Sequence, residues 1–450
     1  MATGTESPSS APAAVGFREA TAFWCKLGFV SFGGPAGQIA LMHQELVERR
    51  RWISEKRFLH ALNYCMVLPG PEAQQLATFI GWLMHRTWGG IVAGMLFVLP
   101  SLFILIGLSW IYIAYGHVPL VAGLFYGIKP AVVAIVVQAA LRIGSRALKS
   151  WLLWAIAAAA FVAIAALNLP FPAIIGAAAI TGIIAGLVAP HLLKSNSGHG
   201  KTSKVSLPAL IDDDTPTPEH ARFSWPRLLR VALAGVGLWA APMLLLIVLC
   251  GWKHTLTQMG WFFTKAALLT FGGAYAVLPY VYQGAVTQFA WLTPAQMMDG
   301  LGLGETTPGP LIMVVAFVGF VGGYLKAYLG AQSAFLAGAL AALVVTWFTF
   351  LPSFVFILAG GPIVESTHKD IKFTAPLTAI TAAVVGVIAS LALFFGYHVL
   401  WSGGLHGHVN WISAVIAAVA AIALLRYKRN VIQVIAGCAA LGCAATTLLY

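Results

Sequence analysis

Six ionisable side chains lie inside stretches of sequence that are otherwise apolar: Lys26, Glu72, Lys129, Lys265, Asp299 and Glu305. A charge at the centre of a bilayer costs about 2.5–3.5 kcal/mol on insertion scales, so such a group is a functional candidate by default. Lysines at that depth can hold an anion, and carboxylates there can take up and release a proton. Lys26 and Lys265 each precede a Phe-Gly-Gly triplet by six residues. Glu72 directly follows Pro69-Gly70-Pro71, and Glu305 shortly precedes Pro308-Gly309-Pro310. We read the two lysines as substrate-binding, Glu72 and Glu305 as coupling groups, and Lys129, next to Pro130, as a further candidate. Asp299 reads as interfacial. The bland alternatives are snorkelling to the interface and a structural Lys–Glu pair.

The Gly and Pro clusters carry the second half of the chemistry. Gly33-Gly34-Pro35, Pro69-Gly70-Pro71, Gly272-Gly273 and Pro308-Gly309-Pro310 each interrupt an apolar stretch near its middle. Such breaks free backbone groups, which is tolerated at membrane depth only where protein or a watery cavity supplies partners. A helix restarting after a break presents unpaired N–H groups and the positive end of its dipole. Two such ends near two lysines make a site for an oxyanion, with Thr306 and Thr307 as hydroxyl donors. Kinks for close helix packing are the alternative, but they do not explain four breaks paired by symmetry.

The elements that must position these groups are membrane helices. Of 450 residues, 60% are hydrophobic and only 9% charged, against roughly 25% charged in soluble proteins. Disorder, a disulfide scaffold and a soluble nucleic-acid binder are excluded. The net charge of +12 fits Lys and Arg gathered in cytoplasmic loops. The first residues lack the basic start and apolar core of a signal peptide, so insertion is expected to rely on the spans.

Unbroken runs long enough to span occur near 88–115, 119–141, 151–168 and 171–190, then near 229–250, 331–359, 374–397, 410–426 and 431–449. Interrupted regions occupy 17–50, 58–84, 257–290 and 297–324. The expected division is a disordered N-terminus (1–15), a first transmembrane repeat (16–192), a solvated cytoplasmic linker (193–226), an extra helix (227–252) and a second repeat (253–450).

Internal repetition is the strongest feature. Shifted by 239 positions, Phe23, Lys26, Phe32-Gly33-Gly34, Trp52 and Pro69-Gly70-Pro71 fall on Phe262, Lys265, Phe271-Gly272-Gly273, Trp291 and Pro308-Gly309-Pro310. After an insertion the register becomes 252, and Leu99-Pro100-Ser101 meets Leu351-Pro352-Ser353. If the four broken regions are re-entrant hairpins, the first half returns to its starting side, and the extra helix makes the second half inverted. Most Lys and Arg then lie on the cytoplasmic side, including Arg49, Arg50, Arg51, Lys56, Arg57, Arg142, Arg146 and Lys149. The expected fold class is an all-α polytopic membrane protein of two inverted repeats, each with two broken hairpins and about four spans.

Other signals are weak. Cys25, Cys65, Cys250, Cys438 and Cys443 show no CxxC spacing and read as small apolar residues. His398, His406 and His408 read as part of a solvated Gly-rich loop rather than a metal site. Neither a nucleotide-binding loop nor a hydrolase motif occurs in usable context. No metal and no cofactor are expected.

With these motifs in place, the sequence resembles the chromate ion transporter family in its long two-repeat form. The resemblance rests on F-x-x-x-L-G-F-x-S-F-G-G-P at 23–35, W-I-S at 52–54 and L-P-G-P at 68–71. T-F-G-G-A-Y at 270–275, T-T-P-G-P at 306–310 and the two Leu-Pro-Ser triplets complete it. It implies export of chromate from the cytoplasm, sulfate as a related anion, chromate resistance, and a membrane gradient rather than ATP as driving force. The second half departs from the first at Ala274, which replaces the Pro after FGG, and at Leu311, which stands opposite Glu72.

The expected mechanism has the dianion bound between hairpin tips while two repeats rock to alternate access. An inward sulfate or oxyanion carrier of the same architecture is the alternative. A membrane enzyme such as a chromate reductase would need a flavin, haem or thiol pair, so enzyme activity is not expected. The expected partners are a chromate or sulfate oxyanion and the lipid of the cell (inner) membrane, crossed several times, with no nucleic acid; a homodimer is compatible with the sequence.

Overall fold

The computed structural model describes residues 12–192, 208–216, 218–367, 374–401 and 408–449. The fold is helical, and an isolated bridge between Ile53 and Ile211 is the sole β pairing among the described residues. The first half runs α1 (Phe17–Val30), α2 (Gly34–His43), α3 (Glu55–Val67), α4 (Glu72–Tyr115), α5 (Pro119–Ala147), α6 (Trp151–Ala165) and α7 (Phe171–Val188). After α8 (Trp225–Cys250) the second half runs α9 (Thr255–Leu268), α10 (Ala274–Tyr282), α11 (Pro294–Thr306), α12 (Val314–Lys326), α13 (Ala334–Thr367), α14 (Thr374–Leu400), α15 (Trp411–Leu425) and α16 (Val431–Leu449). Among the described residues, six helices are long and apolar enough to cross a membrane. The chain is a multi-pass membrane protein.

Repetition reaches below the helices. α2 and α10 each continue into a π-helical turn, Gln44–Arg49 and Gln283–Gln288, at the 239-residue spacing. Left-handed backbone recurs at the same spacing in Arg51 and Ala290, and in Gly70 and Gly309. Beyond α5 and α14 a third register appears: α6 and α7 repeat as α15 and α16 after 260 residues, with Asn168 and Lys428 both at φ 50°. The long α4 is two arms, since His85 and Arg86 leave helical geometry. Its first arm repeats as α12 and its second as α13.

Each broken region folds back on itself. Arg50, past the end of the first π turn, lies 3.8 Å from Glu19 at the start of α1. Its guanidinium stacks over Phe23 and Trp52 at 4.9 and 5.0 Å. The second half repeats the contact with Phe262 against Trp291, ring centroids 5.7 Å apart. Equivalent helices of the two halves cross antiparallel: along α4 and α13, Trp82 meets Gly361, Gly94 meets Phe354 and Trp110 meets Phe335.

The halves interleave instead of forming two bodies. α5 packs on α15 and α16, with Gly123 and Gly127 against Cys443, Gly442 and Cys438. α14 packs likewise on α6 and α7, with Gly386 against Ala157 and Gly182 against Ala375 and Ala379. Backbones approach this closely only where one side lacks a side chain. Rocking of one repeat against the other would tear these contacts apart. α8 lies outside the bundle, burying only Gly235 and Met243.

The described end of the linker docks on the first half. Leu210, Ile211 and Ser54 exchange backbone hydrogen bonds with one another's strand-like stretches, and Ser54 also donates its hydroxyl to Asp213. Apolar Ala209, Ile211 and Ala221 are buried, while Asp213, Asp214, Pro216 and Glu219 between them stay exposed. Residues 1–11 and 193–207 lie outside the described residues.

Candidate functional site

The four breaks meet at the centre of the molecule. The Gly70 amide donates to the Thr270 carbonyl at 2.7 Å, and the Gly309 amide donates to the Ser31 carbonyl at 2.8 Å. Ser31 and Thr270 are themselves repeat counterparts, both fully buried. A side chain on Gly70 would run into Ser353, and one on Gly309 into Ser101. The Leu-Pro-Ser triplets thus supply the small surfaces on which the opposite half's Pro-Gly-Pro turn rests. Gln75 donates to the Pro69 carbonyl at 2.8 Å, and Gln38 donates to the Gly309 carbonyl, so the freed carbonyls are satisfied internally.

Beside this crossing lies a cavity of about 910 Å³. Its floor is Gly33, Gly34, Gly272, Gly273 and Ala274, with Glu72, Glu305 and Tyr275. Both helix starts at the floor, α2 after Gly33 and α10 after Gly273, lack a side-chain cap. Pro35 carries no N–H and the Ala276 amide already donates to the Gly273 carbonyl at 3.1 Å, so the Gly34, Ala274 and Tyr275 amides and the two dipole ends are the groups an anion would meet there. Gln138, Arg142 and Arg146 line it at successive turns of α5, Val431 lines it from the start of α16, and Leu41, His43 and Gln44 line it from α2 and its π turn. Arg142 lies within Coulombic reach of Glu305, whose carboxylate accepts a hydrogen bond from Tyr275 at 2.5 Å.

Several expected site residues fall elsewhere. Lys26 is exposed on the outer face of α1, and Lys265 lies over the Trp261 ring at 5.8 Å; neither lines the cavity. Pro69, Gly70, Pro71, Pro308, Gly309 and Pro310 join the halves behind the floor. Thr306 and Thr307 donate to the Leu303 and Gly304 carbonyls of their own helix. Gly33, Gly34, Gly272, Gly273, Glu72 and Glu305 line one space.

Lys129 belongs to a separate buried cluster. Its ammonium lies 3.5 Å from Asp299, which also accepts from Tyr112 at 2.9 Å. Asp299 is only 2% exposed. His398 is part of α14 and bonds the Phe394 carbonyl, not a loop residue; His406 lies outside the described residues.

The apolar run at 119–141 stops short of Arg142 and Arg146, so hydrophobicity alone does not place them at the cavity. α5 continues two turns further. The signal was present: Gln138, Arg142 and Arg146 are spaced i, i+4, i+8, one polar face on an otherwise apolar helix.

Comparison with known proteins agrees with this architecture. The family model described as "Chromate transporter" matches residues 18–183 and 257–443, one match per half. A chromate transport protein of Pseudomonas aeruginosa is 32% identical, over 85% of this chain and 82% of its own. One of Cupriavidus metallidurans is 27% identical over 96% and 94% of the two chains. An uncharacterized transporter of Methanocaldococcus jannaschii is 24% identical over 91% and 90%. No solved structure matches. With both halves matched over most of their length, the chain belongs to the chromate transporter family.

Proposed function

We propose that this chain is a secondary transporter that carries chromate, and with it sulfate, out of the cytoplasm. The observation that supports this most directly is the cavity with Arg142 and Arg146 at its mouth and the paired uncapped starts of α2 and α10 at its floor. A dianion entering there exchanges water for guanidinium groups and then for backbone N–H donors. The mouth sits at the end rich in Lys and Arg, which the positive-inside rule assigns to the cytoplasm. The resemblance of the relatives named as chromate transport proteins supplies the substrate. Both anions are tetrahedral dianions, and a site of this chemistry has little with which to separate them.

Because the halves interleave, the moving parts are drawn from both. The hairpin set, α1–α4 with α9–α13, shifts against the set formed by α5–α7 and α14–α16, between which the cavity lies. A negative-inside potential favours export by about 2.3 kcal/mol per charge per 100 mV. Glu72 and Glu305 at the floor repel a dianion unless they are protonated, which ties anion occupancy to protons.

That last relation favours a second reading. A carrier whose floor binds proton and dianion together is a symporter, which an inward proton gradient drives toward uptake. Chromate flux in everted membrane vesicles, with sulfate as competitor, separates the two. Accumulation that sulfate blocks and an imposed potential alone sustains supports export. No accumulation above empty vesicles, with sulfate uptake by intact cells, overturns it in favour of uptake.

A further inference from the structure

Beyond the shared floor, the inverted halves place cavity-lining residues of α2, α5 and α16 in register with residues at the opposite end of the molecule, and there the counterparts touch. His43 and Arg142 both line the cavity; their counterparts Tyr282 and Phe394 pack with ring centroids 4.8 Å apart. Leu41 and Val431 both line the cavity, whereas Tyr280 and Phe171 pack at 5.6 Å. Ile143 lines the cavity, while Phe395 is fully buried against Tyr282. One end is open and the other is shut by the same positions.

The most specific of these relations involves two glutamines, one in each half. Gln283, the first residue of its π turn, accepts a hydrogen bond from the Phe171 amide at 3.1 Å and donates to the Leu169 carbonyl at 3.3 Å. It thereby caps the start of α7 across the closed end. Gln44 holds the equivalent place in the first half, is exposed, and lines the cavity together with Val431, the first residue of α16. The turn before α16 keeps the left-handed residue of the turn before α7, Lys428 for Asn168. The receiving backbone is thus already shaped.

We propose that Gln44 and Gln283 are alternating gate residues: when the cytoplasmic end shuts, Gln44 caps α16 by accepting from the Val431 amide and donating to the Arg429 carbonyl, while Gln283 lets go of Phe171 and Leu169. Each glutamine holds one of the two end states, and neither touches the transported ion. They are positioning residues for transport. The inference rests on the transport reading above, and specifies which side chains exchange partners in it.

The test uses the full chain in everted vesicles, with Ile143→Cys as a reporter labelled from the cytoplasmic side by an impermeant maleimide and read at the peptide carrying position 143. Gln44→Ala removes the holder of the cytoplasm-closed state and should raise labelling on the order of threefold. Gln283→Ala removes the holder of the open state and should lower it by a similar factor. Both should slow chromate flux. Gln44→Glu, which keeps the acceptor for the Val431 amide, should fall between the parent and Gln44→Ala. A bismaleimide joining Gln44→Cys to Val431→Cys should arrest flux.

Shifts of the same sign in both alanine variants, or none, would overturn the gate assignment, because a merely structural role has no reason to move one reporter in opposite directions. A parent that carries neither chromate nor sulfate would instead overturn the transport reading. The labelling arms still report the gate in that case.

Discussion

The amide of Gly70 donates to the carbonyl of Thr270 at 2.7 Å, and this one hydrogen bond joins the two halves of the chain at the point where both interrupt their helices. Its symmetric partner, from Gly309 to Ser31, makes the junction reciprocal. Such an exchange gives each half's freed backbone a partner that water would otherwise have to supply. The breaks are therefore structural joints at Pro-Gly-Pro and cavity-facing helix starts at Gly-Gly. Two roles follow from two locations.

The joint and the floor should respond differently to an added methyl group. Gly70→Ala strains a residue at φ 131° and drives its Cβ into Ser353 and Gln75. Gly34→Ala strains φ 70° but meets nothing within 4 Å, so it should cost only about 1–2 kcal/mol of backbone energy. Thermal unfolding in detergent should show the larger loss for Gly70→Ala. An equal or larger loss for Gly34→Ala would contradict the assignment.

Much of this arrangement was legible in the sequence, because Gly and Pro report backbone breaks and recur in register. The repeat, the four breaks and the grouping of Glu72 with Glu305 needed no side-chain placement. The two lysines lie away from the cavity, for a reason that a helical wheel shows. Ala20, Phe23, Trp24, Leu27 and Gly28 form the buried stripe of α1, and Lys26 falls off that stripe. The 260-residue register was hidden because α6, α7, α15 and α16 share little but small apolar residues. Packing of α5 between α15 and α16 is a long-range choice that local patterns do not encode.

Arg142 should matter more to transport than Lys26. Arg142 lines the cavity and acts on Glu305, whereas Lys26 lies on the outer face. Arg142→Gln should reduce chromate flux roughly tenfold, equivalent to about 1.4 kcal/mol. Lys26→Gln should leave it within about twofold, since an exposed charge with solvent access contributes little. The decisive measurement is initial flux normalised to inserted protein; the reverse order would return the site to the lysines.

The Lys129–Asp299–Tyr112 cluster should act as a fastening between α5, α11 and the second arm of α4. Removing one partner of a buried pair costs about 3–5 kcal/mol when both are fully enclosed. Lys129 is 31% exposed in its side chain, so solvent screening should reduce the loss to about 1–3 kcal/mol. Asp299→Asn alone should lower the unfolding temperature. Adding Lys129→Met should recover part of that loss, because no uncompensated charge then remains. A double variant less stable than Asp299→Asn would show that the pair is not what Asp299 serves.

A last prediction concerns the docked end of the linker, outside the spans. Arg57 there bonds both Glu365, at 3.0 Å, and the Thr215 carbonyl, while His220 bonds the Trp82 carbonyl at 3.0 Å. This clasp ties the first half's second hairpin to the far end of α13. Burial lowers the pKa of His220 from its ordinary 6.5, and the Arg86 and Arg227 charges add to the effect, against the bonds to backbone carbonyls that favour the imidazolium. The docked form therefore binds fewer protons than the released form once pH falls below about 6.5. Docking is unaffected above that value and weakens as pH drops through it toward the lowered pKa. Limited proteolysis within 208–216 should accelerate over that window in the parent chain. In His220→Gln, which has no proton to gain, the rate should stay flat; an unchanged acceleration in that variant would place the titrating group elsewhere.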